Sequence, residues 1–182
     1  IYVRMQSNTM PLCYTVSQTP VFDLIVTPQE DSSFTMTATC DGGTATVTGD
    51  AGGSFAFNPA PTDGAVIDVA TGTVTMGAPG AVYTIEYTTG GPCPDVSTVN
   101  LAVLNQDNSS FTLSPTCDGA TATITGQAGG TFAFNPVPTD GAMINTTTGT
   151  ITNAPFDATY TVEYTTNGPC PTTTTQSVTV FS

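Results

Sequence analysis

The chain of 182 residues carries 14 acidic side chains against a single basic one, Arg4, with no His and no Lys, for a formal net charge of −13. Phosphate backbones and anionic lipid headgroups are gripped by Lys and Arg, so nucleic acid and charged membrane surfaces are excluded as partners. No apolar run reaches the ~18 residues needed to insert in a bilayer, and a Thr-, Val- and Gly-rich sequence with only 8% charged residues favours short strands joined by turns over helices.

In chain order, residues 1–28 read as the last strands of an incomplete repeat. Ile1-Tyr-Val-Arg-Met5, Cys13 and Phe22-Asp-Leu-Ile-Val26 run in the same order as Tyr83–Tyr87, Cys93 and Asn100–Val103 further on. The opening at Ile1, with no signal-peptide pattern, is taken as that of a fragment whose targeting sequences lie elsewhere.

Two complete copies follow, expected at 31–105 and 108–182. SSFTMTATCDGGTATVTGDAGGSFAFNPAPTDGAVI starts at Ser32, and SSFTLSPTCDGATATITGQAGGTFAFNPVPTDGAMI starts at Ser109. The offset is constant and free of gaps: Phe34 matches Phe111, Cys40 Cys117, Phe57 Phe134, Tyr83 Tyr160 and Cys93 Cys170. A repeat this long argues for a globular unit, since a β-helix repeats at about 20–30 residues.

Within the first copy, alternation and turn signals predict strands at 33–38, 44–48, 54–58, 66–67, 73–75, 82–89 and 99–104. Phe55 and Phe57 share one face; Tyr83, Ile85 and Tyr87 point inward, with Thr84, Glu86 and Thr88 outward. Seven short strands in about 75 residues fit an immunoglobulin-like β-sandwich, so the fold class is all-β, with tandem sandwiches arranged as a rod. Asp157-Ala-Thr-Tyr160 resembles the immunoglobulin tyrosine corner, in which the phenol hydroxyl bonds back to backbone.

Four of the five cysteines repeat with the copies: Cys40 and Cys93 stand at the same separation as Cys117 and Cys170. Buried free thiols and a zinc site are the alternatives, the latter disfavoured by the lack of His and of any CxxC spacing. Disulfides Cys40–Cys93 and Cys117–Cys170 are the expected pairing, stabilising small cores and placing the chain outside the cytosol. Cys13 is expected to have no partner within the chain, its other half belonging to sequence before Ile1.

No catalytic residues are expected. His and Lys are absent, and the recurring acids Asp41/Asp118 and Asp63/Asp140 sit in turn dipeptides. No cofactor is expected either. Calcium is the one metal the composition permits, at the junction acids Glu30-Asp31 and Asp107-Asn108, although no Asp-x-Asp-x-Asp-Gly run accompanies them. Asn108-Ser-Ser and Asn145-Thr-Thr match the glycosylation acceptor pattern, which arises by chance in a Thr-rich chain.

Taken together, TCDGGTATVTGDAGGSFAFNP, ATGTVT and YTIEYTTGGPCP resemble the repeats of giant cell-surface adhesins of Bacteroidota, some of them gliding-motility adhesins exported by the type IX secretion system. That resemblance implies a bacterial cell-surface location, a filament of many repeats, and the secretion and gliding machinery and neighbouring repeats as partners. It carries over no catalytic or ligand residue. The function expected is that of structural stalk repeats serving attachment or gliding. A carbohydrate- or host-ligand-binding module and a polymerising fibre subunit are the alternatives. The binding module would expose loop aromatics, for which Phe156 is the one obvious candidate, replaced by Pro79 in the first copy.

Overall fold

The computed structural model describes residues 27–181. Fourteen strands fall into two matching sets of seven, one in each copy, and no helix occurs among the described residues. In the first copy these are β1 (Phe34–Ala38), β2 (Gly43–Val47), β3 (Ser54–Phe57), β4 (Val66–Ile67), β5 (Val74–Thr75), β6 (Val82–Thr88) and β7 (Val96–Ala102). In the second they are β8 (Phe111–Thr116), β9 (Gly119–Ile124), β10 (Thr131–Phe134), β11 (Met143–Ile144), β12 (Ile151–Thr152), β13 (Thr159–Thr165) and β14 (Thr173–Thr179).

Each copy builds a four-stranded sheet, β1-β2-β5-β4, opposite a three-stranded one, β3-β6-β7, and the second copy repeats both orders. Lettered along the chain, these are the ABED and CFG sheets of a constant-type immunoglobulin sandwich. The chain is therefore all-β and immunoglobulin-like, as its alternating sequence implies.

Each copy has its own core, because the inward residues of its two sheets meet face to face. In the first, Phe34, Phe55, Val74, Tyr83, Ile85, Tyr87, Leu101 and Val103 are buried together. In the second, Phe111, Phe132, Ile151, Tyr160, Val162, Tyr164, Val178 and Val180 do the same. With no Trp, aromatic pairs supply the bulk: Phe55 and Tyr87 lie 4.5 Å apart by ring centroid, as do Phe132 and Tyr164.

The turn between β4 and β5 shows why the Thr-Gly dipeptide recurs. Asp68 Oδ1 accepts the N–H groups of Ala70 and Thr71, and the Gly72 N–H bonds back to the Asp68 carbonyl. Asn145 and Gly149 repeat this arrangement. Gly72 and Gly149 adopt φ of 68° and 70°, the left-handed region that glycine enters without penalty. A Cβ at Gly72 would lie 2.6 Å from Ala45 Cβ and 2.9 Å from the Phe55 ring.

The last strand differs from expectation, running Val96–Ala102 and not 99–104. Its register with β6 pairs Thr88 with Val96 and Val82 with Ala102. Leu104 leaves that pairing because its N–H donates to the Thr39 carbonyl, just beyond β1.

That bond also fixes which end of the sandwich each turn occupies. Ser97, near the start of β7, bonds the carbonyl of Ser32, ahead of β1, while Leu104, after β7, bonds Thr39, after β1. The first and last strands thus run parallel, and the β1–β2 turn holding Cys40 lies at the opposite end from the β6–β7 turn holding Cys93. The expected bonds Cys40–Cys93 and Cys117–Cys170 do not form, because a full strand length separates the partners in each copy. Cys13 and the proposed tail repeat 1–28 lie, but for residues 27 and 28, outside the described residues.

Candidate functional site

Two of the chain's cysteines meet at the junction between the copies. Cys40, at the exit end of the first sandwich, is bonded to Cys170, in the β13–β14 turn at the entry end of the second. Their Cα atoms are 5.5 Å apart, well inside the ~4.4–6.8 Å span that a disulfide bridges without distortion. The Pro169 carbonyl lies 3.2 Å from Cys40 Sγ. Cys170 is 2% exposed, whereas Cys93 is partly exposed, Cys117 is exposed, and neither carries a bridge.

The connecting segment is held at both ends. The Leu104 N–H bonds Thr39 in the first copy, and the Asp107 N–H bonds the Cys170 carbonyl in the second. Only Asn105 and Gln106 lie between these anchors, so the bridge and the backbone link the same two ends. The entry end of the first copy is built in the same way. The Glu30 N–H bonds the Cys93 carbonyl at 3.1 Å, and the Thr27 carbonyl lies 3.8 Å from the Cys93 thiol.

At the entry end of the first copy the acids are occupied by the chain's own donors, whereas Asp107 Oδ2, at the junction between the copies, is buried with no hydrogen-bond partner. Glu30 accepts the Gly91 N–H, and a Thr89 hydroxyl bond, followed by smaller backbone contributions from Gly91 and Cys93, holds its pKa below the usual value. Asp31 accepts both the hydroxyl and the N–H of Ser33, which lower its pKa. Asp95 takes the Ser32 hydroxyl at 2.7 Å, the Ser32 N–H and the Gln29 amide, and is likewise lowered, chiefly by Ser32. Among the described residues no three Asp, Glu, Cys or His side chains converge as a metal site requires. No such group of acids forms at Glu30-Asp31 or at Asp107-Asn108, the positions considered for calcium.

Two tyrosines in each copy close off loops. The Tyr83 hydroxyl donates to Asp63 Oδ2 at 2.5 Å and accepts the Ala78 N–H at 2.9 Å. The backbone bond of a tyrosine corner is thus present at Tyr83, joined by a carboxylate from the turn before β4, but not at Tyr160, where Asp157-Ala-Thr-Tyr160 led it to be expected. In the second copy Tyr160 donates to Asp140 at 2.6 Å, but Pro155 replaces Ala78 and has no N–H to offer. Tyr87 and Tyr164 reach backbone instead, donating to the carbonyls of Asp50 and Gln127 and accepting from Gly53 and Gly130.

The remaining recurring acids are structural too. Glu86 points outward as expected and accepts the Asn58 amide at 2.7 Å, and Glu163 does the same for Asn135. A shallow, open hollow on the first copy is lined by Val66, Ile67, Asp68, Thr71, Thr73 and Thr75. Its single carboxylate is engaged in the β4–β5 turn.

No protein-family profile and no curated protein matches the sequence. Among solved structures, the chain is similar to the extracellular domain of protocadherin gamma B4, at 11% identity with a TM-score of 0.32, covering 84% of this chain and 34% of that one. It is similar also to human protocadherin-24 EC1-2, at 10% identity with a TM-score of 0.34, covering 77% of this chain and 87% of that one. The chain thus spans about a third of the protocadherin gamma B4 structure.

Proposed function

We propose that the two sandwiches are spacer modules in the stalk of an extracellular adhesin, carrying a distal adhesive region and having no catalytic role. The observation that supports this most is the Cys40–Cys170 bond: it fastens the exit end of one copy to the entry end of the next. A binding module gains nothing from such a bond, whereas a load-bearing array gains a second covalent link beside a short linker. Disulfides persist in oxidising compartments, which agrees with a location outside the cytosol. The net charge of −13 keeps neighbouring stalks apart by mutual repulsion. The resemblance of the repeats to Bacteroidota surface adhesins extends this reading to a bacterial cell surface, with type IX secretion and gliding machinery as partners.

Small-angle X-ray scattering of the oxidised chain tests the stalk geometry. End-to-end sandwiches of roughly 30–40 Å each, from ~3.3 Å per strand residue, give a maximum dimension of about 60–80 Å. A compact particle with the sandwiches side by side would overturn the spacer reading. Surface labelling of intact cells by antibody to this chain tests the location.

A further inference from the structure

We propose that Cys117 and Cys93 are the two open halves of the same inter-repeat bridge, and that each is completed by a further copy of this repeat abutting the sandwich end to end. Cys117 takes the cysteine at the Cys170 position of a copy docked on its exit end. Cys93 takes the cysteine at the Cys40 position of a copy docked on its entry end.

Three observations carry this. The first is positional identity. Cys117 stands in the second copy where Cys40 stands in the first, and Cys93 stands in the first copy where Cys170 stands in the second. The two equivalents are bonded to each other in this structure.

The second is that the backbone around each open half is already set in the bonded geometry. At the exit end of the second copy the Phe181 N–H bonds the Thr116 carbonyl, as Leu104 bonds Thr39 beside Cys40. At the entry end of the first copy Glu30 bonds the Cys93 carbonyl, as Asp107 bonds Cys170.

The third is exposure. Leu104 is partly covered at the occupied junction, while its counterpart Phe181 is 54% exposed, with the exposed Phe156 and Cys117 at the same end of the sandwich. This apolar end is continuous in kind with an interface the chain already makes, which argues for another repeat as its occupant and against an unrelated ligand.

Formation of each bridge is an oxidation. Two thiols lose two protons and two electrons, and a disulfide oxidant such as oxidised glutathione is reduced to two thiols. The proposal draws on the extracellular reading only for an oxidising environment. The test supplies its own oxidant, so its failure would leave that reading standing.

The experiment extends the full chain by appending a second copy of residues 106–182 directly after Ser182, which preserves the register of the repeat. The protein is folded in a glutathione redox buffer, free thiols are alkylated, and the bridges are mapped by mass spectrometry of non-reduced peptides. The expected result is two bridges, Cys40–Cys170 and Cys117 with the appended equivalent of Cys170, while Cys93 is alkylated. A chain in which Cys40–Cys170 forms and Cys117 is alkylated, or is bonded within its own copy, overturns the proposal. The unextended chain at millimolar concentration provides the second measurement, should the appended copy fail to fold. Intermolecular Cys93–Cys117 bonds support the proposal there, and Cys117–Cys117 bonds or no bond overturn it.

Discussion

The Tyr160 phenol donates to Asp140 Oδ2 across 2.6 Å, and burial, reinforced by that bond, pushes the Tyr160 pKa up to about 12. Burial first and the Asp63 bond second raise Tyr83 as well. The same bonds, made by Tyr160 and Tyr83, hold Asp140 and Asp63 below the usual carboxylate range.

The pH dependence follows in both directions. A tyrosine whose folded pKa is raised contributes stability in full below its unfolded value of ~10, and loses it as pH rises through the folded value. The second copy should therefore weaken between about pH 10 and 12, and Tyr160→Phe should remove that loss. The depressed aspartates contribute stability above the unfolded carboxylate pKa and lose it as pH falls through their folded values. Asp63→Asn and Asp140→Asn should flatten the acid limb. Urea midpoints measured across the acid and alkaline ranges for these variants check both limbs.

Replacing Gly72 by Ala should destabilise the first copy by about 2–5 kcal/mol, because the left-handed conformation costs a non-glycine residue roughly 1–2 kcal/mol and crowding against a packed core adds about 1–3 kcal/mol. The added methyl group would meet Ala45 and Phe55. Gly149→Ala should have the same effect in the second copy, where Ala122 and Phe132 occupy the equivalent places. Chemical denaturation of each variant, followed by resonances of its own copy, gives the values.

Ile85 is fully buried, in a cluster that shares no residue with the core around Val162. Ile85→Ala should cost about 2–5 kcal/mol. Under reducing conditions the loss should fall on the first copy alone, leaving the second copy's transition in place. A single transition shifted as a whole would mean that the two cores unfold together.

Cys40→Ser and Cys170→Ser should each abolish the Cys40–Cys170 bridge, while Cys93→Ser and Cys117→Ser should leave it intact. Both sandwiches should fold in all four variants, since neither core cluster depends on the bond. Non-reducing peptide maps and near-ultraviolet circular dichroism check the two statements.

Strand content and core were legible in the sequence because a period of two leaves little choice of face. Tyr83, Ile85 and Tyr87 had to point one way and Thr84, Glu86 and Thr88 the other. The cysteine pairing was harder to read for a reason of symmetry. Cys40 recurs at a fixed spacing from Cys93 in its own copy, and equally at a fixed spacing from Cys170 in the next. Positional recurrence cannot separate those two partners. What separates them is strand direction. Cys40 follows the first strand and Cys93 precedes the last, and in a sandwich whose first and last strands run parallel these turns fall at opposite ends. Asp63 and Asp140 were hidden differently: an Asp-Gly turn dipeptide looks the same whether or not a tyrosine from another strand reaches it.

The junction bond also redirects tension. With the chain held near Glu30 and near Val180, the covalent route runs along β1 to Cys40, crosses the sulfurs to Cys170, and leaves through β14. The bonded cysteines are separated by 130 positions in sequence, and everything between them forms a closed loop off that route. Nearly all of both sandwiches, including β2–β7 and β8–β13, is thus spared the pull. Unfolding them under load would release none of the ~3.3–3.6 Å per residue that an unbridged chain would yield. Reduction of that one bond turns a nearly inextensible tether into a long, extensible one.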